Sequence, residues 1–167
     1  KFKVHCPTTY LSTIVFENKT IIRLTLSFDV IAHQRNHIEF YGKNGSMIVP
    51  DPNMFGGSVY ICNKLGQPWK EHKTGKMSLG KINIRTKSLR ANESPINANY
   101  RGAGLAEMAY CIEKRKKHRC SGELSLHVLD IIQSTMRASK TGKKQRITTT
   151  CKIPNRFTEK EIRKILN

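Results

Sequence analysis

Cysteine, histidine and glycine are the residues here whose types and spacing could carry metal or cofactor chemistry. The cysteines are Cys6, Cys62, Cys111, Cys120 and Cys151, an odd number with no C-x-x-C pair. A tetrahedral zinc site needs about four Cys, His or carboxylate ligands at workable spacing. Cys111, His118 and Cys120 lie near one another in the chain, but no fourth ligand accompanies them. The cysteines therefore read as free thiols, and no metal is expected. Gly102-x-Gly104 starts like a dinucleotide-binding loop, yet it lacks the third glycine and follows no clear strand, so no cofactor site is read there. His127, between Leu126 and Val128, reads as a partly buried, hydrogen-bonded histidine of a helix. Asp51 and Asn53 sit in a proline-rich loop, where they serve turns or subunit contacts. His5 and His72 have no identifiable partners in the sequence.

The charge sets a second boundary. Lys and Arg number 30 against 12 Asp and Glu, for a net charge of +18. The excess is uneven: residues 1–60 carry 6 basic and 4 acidic side chains, residues 61–120 carry 14 and 4, and residues 121–167 carry 10 and 4. Such a balance favours polyanions through counterion release. Single-strand binders, however, interleave aromatics with their basic residues. Between Lys64 and Arg90 the only aromatic is Trp69. A solvated basic loop is the better reading, and nucleic acid the weaker one. No apolar run approaches the roughly 20 residues of a membrane helix, and no signal peptide opens the chain, which points to a cytoplasmic protein. Lys1 and the early strand pattern predict a piece of a longer polypeptide.

These residues must be positioned by elements legible in the pattern. The 167 residues fit a single domain burying about 70% of its unfolded surface. Thr8 to Phe16 and Thr20 to Val30 read as two strands joined at Glu17-Asn18-Lys19, with Asn18 able to take positive φ. Ile22, Leu24, Leu26 and Phe28 alternate with polar residues, the pattern of a sheet covered on one side. Further strands are expected at His37 to Tyr41, Ser46 to Val49 and Ser58 to Cys62, the first two turning through Gly42–Gly45. Pro50-Asp51-Pro52 interrupts the ladder. Residues 64–99 read as a long loop or insertion, with one edge strand over Lys81 to Thr86.

Helical periodicity follows. Leu105, Met108, Ala109 and Ile112 form an apolar face over about Arg101 to Lys114. Leu124, Val128, Ile131, Ile132 and Met136 stripe a longer helix from Ser121, ended by Thr141-Gly142. Arg146 to Thr150 reads as a last strand. Residues 151–167 form a C-terminal extension in which Thr158-x-x-Glu161 caps a short helix burying Ile162, Ile165 and Leu166. Strands grouped before helices predict an α+β class: an open, antiparallel-rich mixed sheet with helices packed on one face.

The order Phe16-Glu17-Asn18, Ser27-Phe28-Asp29-Val30 and Ile38-Glu39-Phe40-Tyr41-Gly42-Lys43-Asn44-Gly45-Ser46 resembles the C-terminal domain of the glucose–fructose oxidoreductase/inositol dehydrogenase family. The family pattern there is F-E-N-G, a second strand, then I-E-x-x-G-x-x-G. Lys19 stands where that family often has glycine. Val49-Pro50-Asp51-Pro52-Asn53, Phe55-Gly56-Gly57, Arg101-Gly102, Gly104-Leu105-Ala106-Glu107-Met108-Ala109, Ser121-Gly122-Glu123-Leu124 and Lys140-Thr141-Gly142-Lys143 look like one branch of it. The resemblance covers roughly residues 8–150, with a weak zone at 64–97. Each motif alone is weak; their order is what carries the likeness.

The resemblance implies the substrate-binding and oligomerisation domain of an NAD- or NADP-dependent oxidoreductase acting on a sugar, polyol or related hydroxy compound. The Rossmann domain that binds the cofactor, the catalytic Lys and the proton-relay residues would all lie before Lys1. No catalytic or cofactor-binding residue is then expected in this chain, which alone should not transfer a hydride. The positioning residues implied are His33, Gln34 and Arg35, just before the I-E-x-x-G strand, and Tyr100 with Arg101 at the start of the first helix. Partners would be the Rossmann domain and a second copy, through the open sheet face. A stand-alone basic module for a polyanion or nucleic acid and a non-catalytic sugar-binding relative are the alternatives.

Overall fold

The structure, a computed structural model, describes residues 3–83 and 97–166. Eight strands and three α-helices form along the described chain. In order they are β1 (Thr9–Val15), β2 (Ile21–Ser27), β3 (Ile38–Gly42), β4 (Gly45–Val49), a 3-10 turn (Pro52–Met54), β5 (Ser58–Cys62), β6 (Lys70–Lys73), β7 (Ile82–Asn83), β8 (Asn97–Ala98), α1 (Ala103–Glu113), α2 (Gly122–Thr141) and α3 (Glu159–Leu166). The class is mixed α+β, with mainly antiparallel sheets, none closed. The strands divide among three sheets instead of one: β1-β2, β3-β4-β5-β6, and a short parallel pair β7-β8. Residues 29–37 between β2 and β3 carry no ladder, and β1 and β2 form a two-stranded sheet of their own.

The residues fall into two compact units. One comprises Lys1–Arg35 with Asp130–Ile147, the other Asn36–Leu129 with Thr148–Asn167. In the first, β1 and β2 pair from Thr9↔Ser27 to Val15↔Ile21. The turn bends at Lys19, with φ 69, while Asn18 accepts from the Thr20 N–H at 3.0 Å. Asn18 thus serves through its side chain, and the left-handed position falls on the residue where the resembled pattern has glycine. The alternating apolar residues of β2 are less covered than their pattern implies. Leu24 is half-buried, but Ile22, Leu26 and Phe28 are exposed. The later part of α2 supplies the deepest residue of this unit, Ser134. Its hydroxyl donates to Asp130 at 3.2 Å and receives Arg137 at 2.7 Å.

In the second unit β3 to β6 form an antiparallel meander. The register Ile38↔Val49, Phe40↔Met47 and Met47↔Ile61 puts Ile38, Phe40, Met47, Val49, Val59 and Ile61 on one face, because side chains alternate along each strand. Gly45 closes the β3-β4 turn at φ 149, and a Cβ there would meet the Cys62 carbonyl at 2.8 Å. β6 lies inside the stretch read as a long loop. Of the edge strand expected over Lys81 to Thr86, Ile82 and Asn83 are strand, and residues 84–86 lie outside the described residues.

The helices occupy the expected spans, but α1 is turned. Ala103, Glu107 and Cys111 are its buried residues, while Leu105 (73% exposed) and Ile112 (67%) face outward and Met108 is half-buried. A buried carboxylate, described below, overrides the apolar stripe. In α2 Leu124, Ile131 and Met136 are half-buried, and Val128 and Ile132 are exposed. Arg146 to Thr150, expected as a strand, forms no ladder. Thr149 instead meets the His127 Nδ1 through its hydroxyl at 3.0 Å, so His127 is the part-buried, hydrogen-bonded histidine anticipated from its place in the helix. α3 is opened by its capping box. Glu161 accepts from the Thr158 N–H at 2.8 Å, and the Thr158 hydroxyl lies 3.3 Å from the Glu161 N–H. Ile162 and Ile165 are half-buried.

Candidate functional site

The second unit builds one cluster of polar side chains around Tyr100 and Arg101, starting from a knot of loop backbone. Gly56 and Gly80 are buried and lie against each other, so closely that a Cβ on Gly56 would come within 2.0 Å of the Gly80 carbonyl oxygen. The Thr74 hydroxyl holds this crossing. It accepts from the Gly57 N–H at 3.0 Å and lies 2.8 and 2.6 Å from the Gly57 and Gly80 carbonyls, which share its one proton. Gly56 N–H donates to Lys81 O at 3.1 Å, and Phe55 bridges to Ile82. The knot thereby fixes the 50s loop beside β7.

The loop itself is capped. Asp51 accepts from the Asn53 N–H at 2.9 Å, starting the 3-10 turn, and its other oxygen faces His37 at 3.9 Å. Asp51 thus serves the turn expected of it. Phe55 follows at φ 64, an uncommon position for an aromatic residue and a mark of local strain.

Asn83 connects this loop region to the start of α1. It is fully buried, and its Oδ1 accepts from the Tyr100 N–H at 2.7 Å, while its Nδ2 has no hydrogen-bond partner among the described residues. The Tyr100 ring meets Phe55 at 5.2 Å between centroids, tilted by 51°. Burial pushes the Tyr100 phenol up, against a backbone hydrogen bond from Lys81 that pulls it down. The phenol therefore stays protonated near neutrality, able to donate as well as accept. Arg101 Nη1 reaches Asn53 Oδ1 at 2.7 Å, across 48 residues of sequence. Guanidinium, phenol and amides offer hydrogen bonds to hydroxyl, carboxylate or phosphate oxygens, but no nucleophile with an adjacent base.

Of the sequence-derived site residues, Tyr100 and Arg101 are brought together with Asn53, Phe55 and Asn83. His33, Gln34 and Arg35 belong to the first unit, exposed on the connection after β2, and His33 has further interactions of its own. Asn53 and Asn83 were not legible as partners of the first pair. Asn53 is adjacent to a turn proline, which masks its role, and Asn83 lies in the stretch without clear periodicity.

A second constellation is structural. Arg119 spans α1 and α3. Its Nη1 donates to Glu107 at 2.7 Å and its Nη2 to Glu161 at 3.0 Å, while Nε donates to Asn155 O at 2.7 Å. The guanidinium also sits 3.9 Å over the Phe157 ring. Burial works against its charge, and the bonds to Glu161 and Glu107 outweigh that, so its pKa is raised.

A dinucleotide does not fit this chain's G-x-G. Gly102 and Gly104 do follow a strand, the two-residue β8, but the third glycine position is Glu107, 2% exposed and committed to Arg119. A buried carboxylate there opposes a pyrophosphate, which favours a backbone free of negative charge. Among the described residues no three His, Cys, Asp or Glu gather closely enough to hold a metal ion, and the five thiols are free. No helix among them is long and apolar enough to cross a membrane. Compared with models of known protein families, with curated proteins and with solved structures, the chain gives no match.

Proposed function

We propose that this chain is the substrate-binding and oligomerisation domain of an NAD(P)-dependent oxidoreductase acting in the cytoplasm on a sugar, polyol or related hydroxy compound. The observation that carries the reading is the Asn53–Arg101 pair with Tyr100 beside it, a set of hydroxyl-binding groups that includes Tyr100 and Arg101, the two residues the family resemblance assigns to the substrate cleft. The ordered family-like motifs support it, as does the β3-β4 hairpin, which closes on Gly45 within I-E-x-x-G-x-x-G. In this reading the sheets and helices represent the dehydrogenase C-terminal type, and a Rossmann domain elsewhere in the parent protein binds the nicotinamide, which accepts the hydride. This chain's residues hold the substrate hydroxyls. Exposed apolar side chains such as Leu11, Val15 and Ile21 on one face of the first hairpin favour association with a second copy or another domain.

The test is to express the complete reading frame and follow nicotinamide reduction with a panel of polyols and sugars. The expected result is turnover that Arg101→Ala lowers about a hundredfold in kcat/KM, the cost of losing a charged hydrogen bond. Sedimentation should show a dimer or larger. A reading frame without an upstream strand and G-x-G-x-x-G loop, or a clean monomer, counts against the proposal.

One observation favours a polyanion-binding module instead. The α1-α2 turn exposes Arg115, Lys116 and Lys117, with Arg115 in the left-handed region at φ 51, where glycine is the usual residue. Duplex binding at about 0.15 M ionic strength, steeply weakened by added salt, would support that reading. A non-catalytic sugar-binding relative would bind the same ligands without turnover.

A further inference from the structure

The partner chosen by Arg101 differs from those of the other arginines whose contacts are resolved. Arg119 lies against Glu107 and Glu161, Arg137 against Asp130, and Arg163 against Glu159. Arg101 donates instead to a neutral amide oxygen, and among the described residues no carboxylate lies within ion-pair distance of it. A hydrogen bond to an amide fixes the direction of a guanidinium and leaves its charge whole. An ion pair would have fixed it and cancelled the charge.

Both ends of this contact are held. Asn53 sits in a 3-10 turn whose first N–H is capped by Asp51, and the strained Phe55 that follows is tied through Gly56 to Lys81. On the other side, the Tyr100 N–H is bound to the buried Asn83. Arg101 itself is exposed, with its remaining donors open to a ligand. An oriented, uncompensated guanidinium matches the paired oxygens of a carboxylate or phosphate better than it matches single hydroxyls. The rings of Phe55 and Tyr100 stand on the two segments that flank the pair and offer an apolar wall.

Resting on the proposed function, we infer that Arg101, oriented by Asn53, binds the anionic end of a polyhydroxylated ligand, so that the substrate carries a carboxylate or phosphate. Neutral polyols lack the group this contact is set to receive.

The experiment is calorimetric titration of the purified chain with gluconate, glucose 6-phosphate and glucitol. At least one of the two anions should bind tenfold or more tightly than glucitol, and which one does so separates carboxylate from phosphate. Arg101→Gln should remove that margin. Asn53→Asp should remove it too, by turning the amide contact into a salt bridge. Lys116→Gln with Lys117→Gln controls for attraction to the net charge of +18 and should change nothing. Thermal unfolding of each variant verifies that it is folded. Equal affinity for glucitol and both anions would overturn the inference while leaving the proposed function in place. So would a loss in the lysine double variant as large as in Arg101→Gln. Binding of none of the three would overturn both.

Discussion

Arg119 grips the Glu107 carboxylate twice, through its backbone N–H at 3.2 Å from each oxygen and through Nη1 at 2.7 Å from Oε1. Glu107 is 2% exposed, so Arg119 takes the place of the water its carboxylate has lost. Removing one member of a buried pair strands the other. Arg119→Ala should therefore cost about 3 kcal/mol. Arg119→Lys should recover only part of this, because an ammonium cannot reach Glu107, Glu161 and Asn155 from one planar fork. Urea unfolding checks both, as a lowered midpoint at unchanged slope.

Acid should loosen the same region. The Thr158 N–H first, and Arg119 next, draw the Glu161 carboxyl from 4.5 to about 2. A carboxyl whose pKa is lowered by folding stabilises the fold above its unfolded value. Its contribution is thus complete above 4.5 and lost as the pH falls from there through about 2. Backbone amide shifts of α3, followed by NMR through that window, should report the loosening. Glu161→Gln should remove the pH dependence and weaken α3 at neutral pH.

The cap of α3 is separable from its anchor. Thr158→Ala removes the hydroxyl that faces the Glu161 N–H while leaving Arg119 in place. The expected cost is about 1 kcal/mol. Thr158→Ser should restore nearly all of it, measured by the same urea titration.

Two glycines should respond in opposite directions. Gly56→Ala forces a methyl to within 2.0 Å of the Gly80 carbonyl oxygen, where only backbone can yield. A loss of about 3 kcal/mol is expected. Gly104, in the first turn of α1, has nothing within 4 Å of its Cβ position. Gly104→Ala should stabilise by about 0.5 kcal/mol, since alanine loses less backbone freedom on entering a helix. Thermal melts of the pair against the unaltered chain settle the contrast.

What was legible in the sequence follows the range of each signal. The β1-β2 and β3-β4 hairpins, α2 and the Thr158/Glu161 box are local patterns, and each lies within three residues of its expected span. The outward face of α1 was misread because apolar periodicity points Leu105 and Ile112 inward, while Glu107 is held by a residue twelve positions on. A carboxylate on the opposite face from an apolar stripe looks like ordinary solvated surface until its cation is found. The division into three sheets was hidden for a similar reason, since alternation describes one strand's faces and says nothing of which strand lies beside it. In the candidate site, Tyr100 and Arg101 came from resemblance. Their anchors Asn53 and Asn83 are 48 and 17 residues away, beyond any pattern the sequence displays.

The two units are interleaved along the chain. The β1-β2 hairpin belongs with Asp130–Ile147, and the meander belongs with Thr148–Asn167. On a ribosome, where residues emerge in order, the first hairpin must wait for the whole of residues 36–129 before its unit can close. During that wait Tyr10, Ile14 and Leu24, half-buried in the folded chain, have only water or another nascent chain to meet. Closing such distant segments also raises the entropic barrier to folding. These residues should therefore fold late and slowly after synthesis, with a yield that depends on temperature and on chaperone supply.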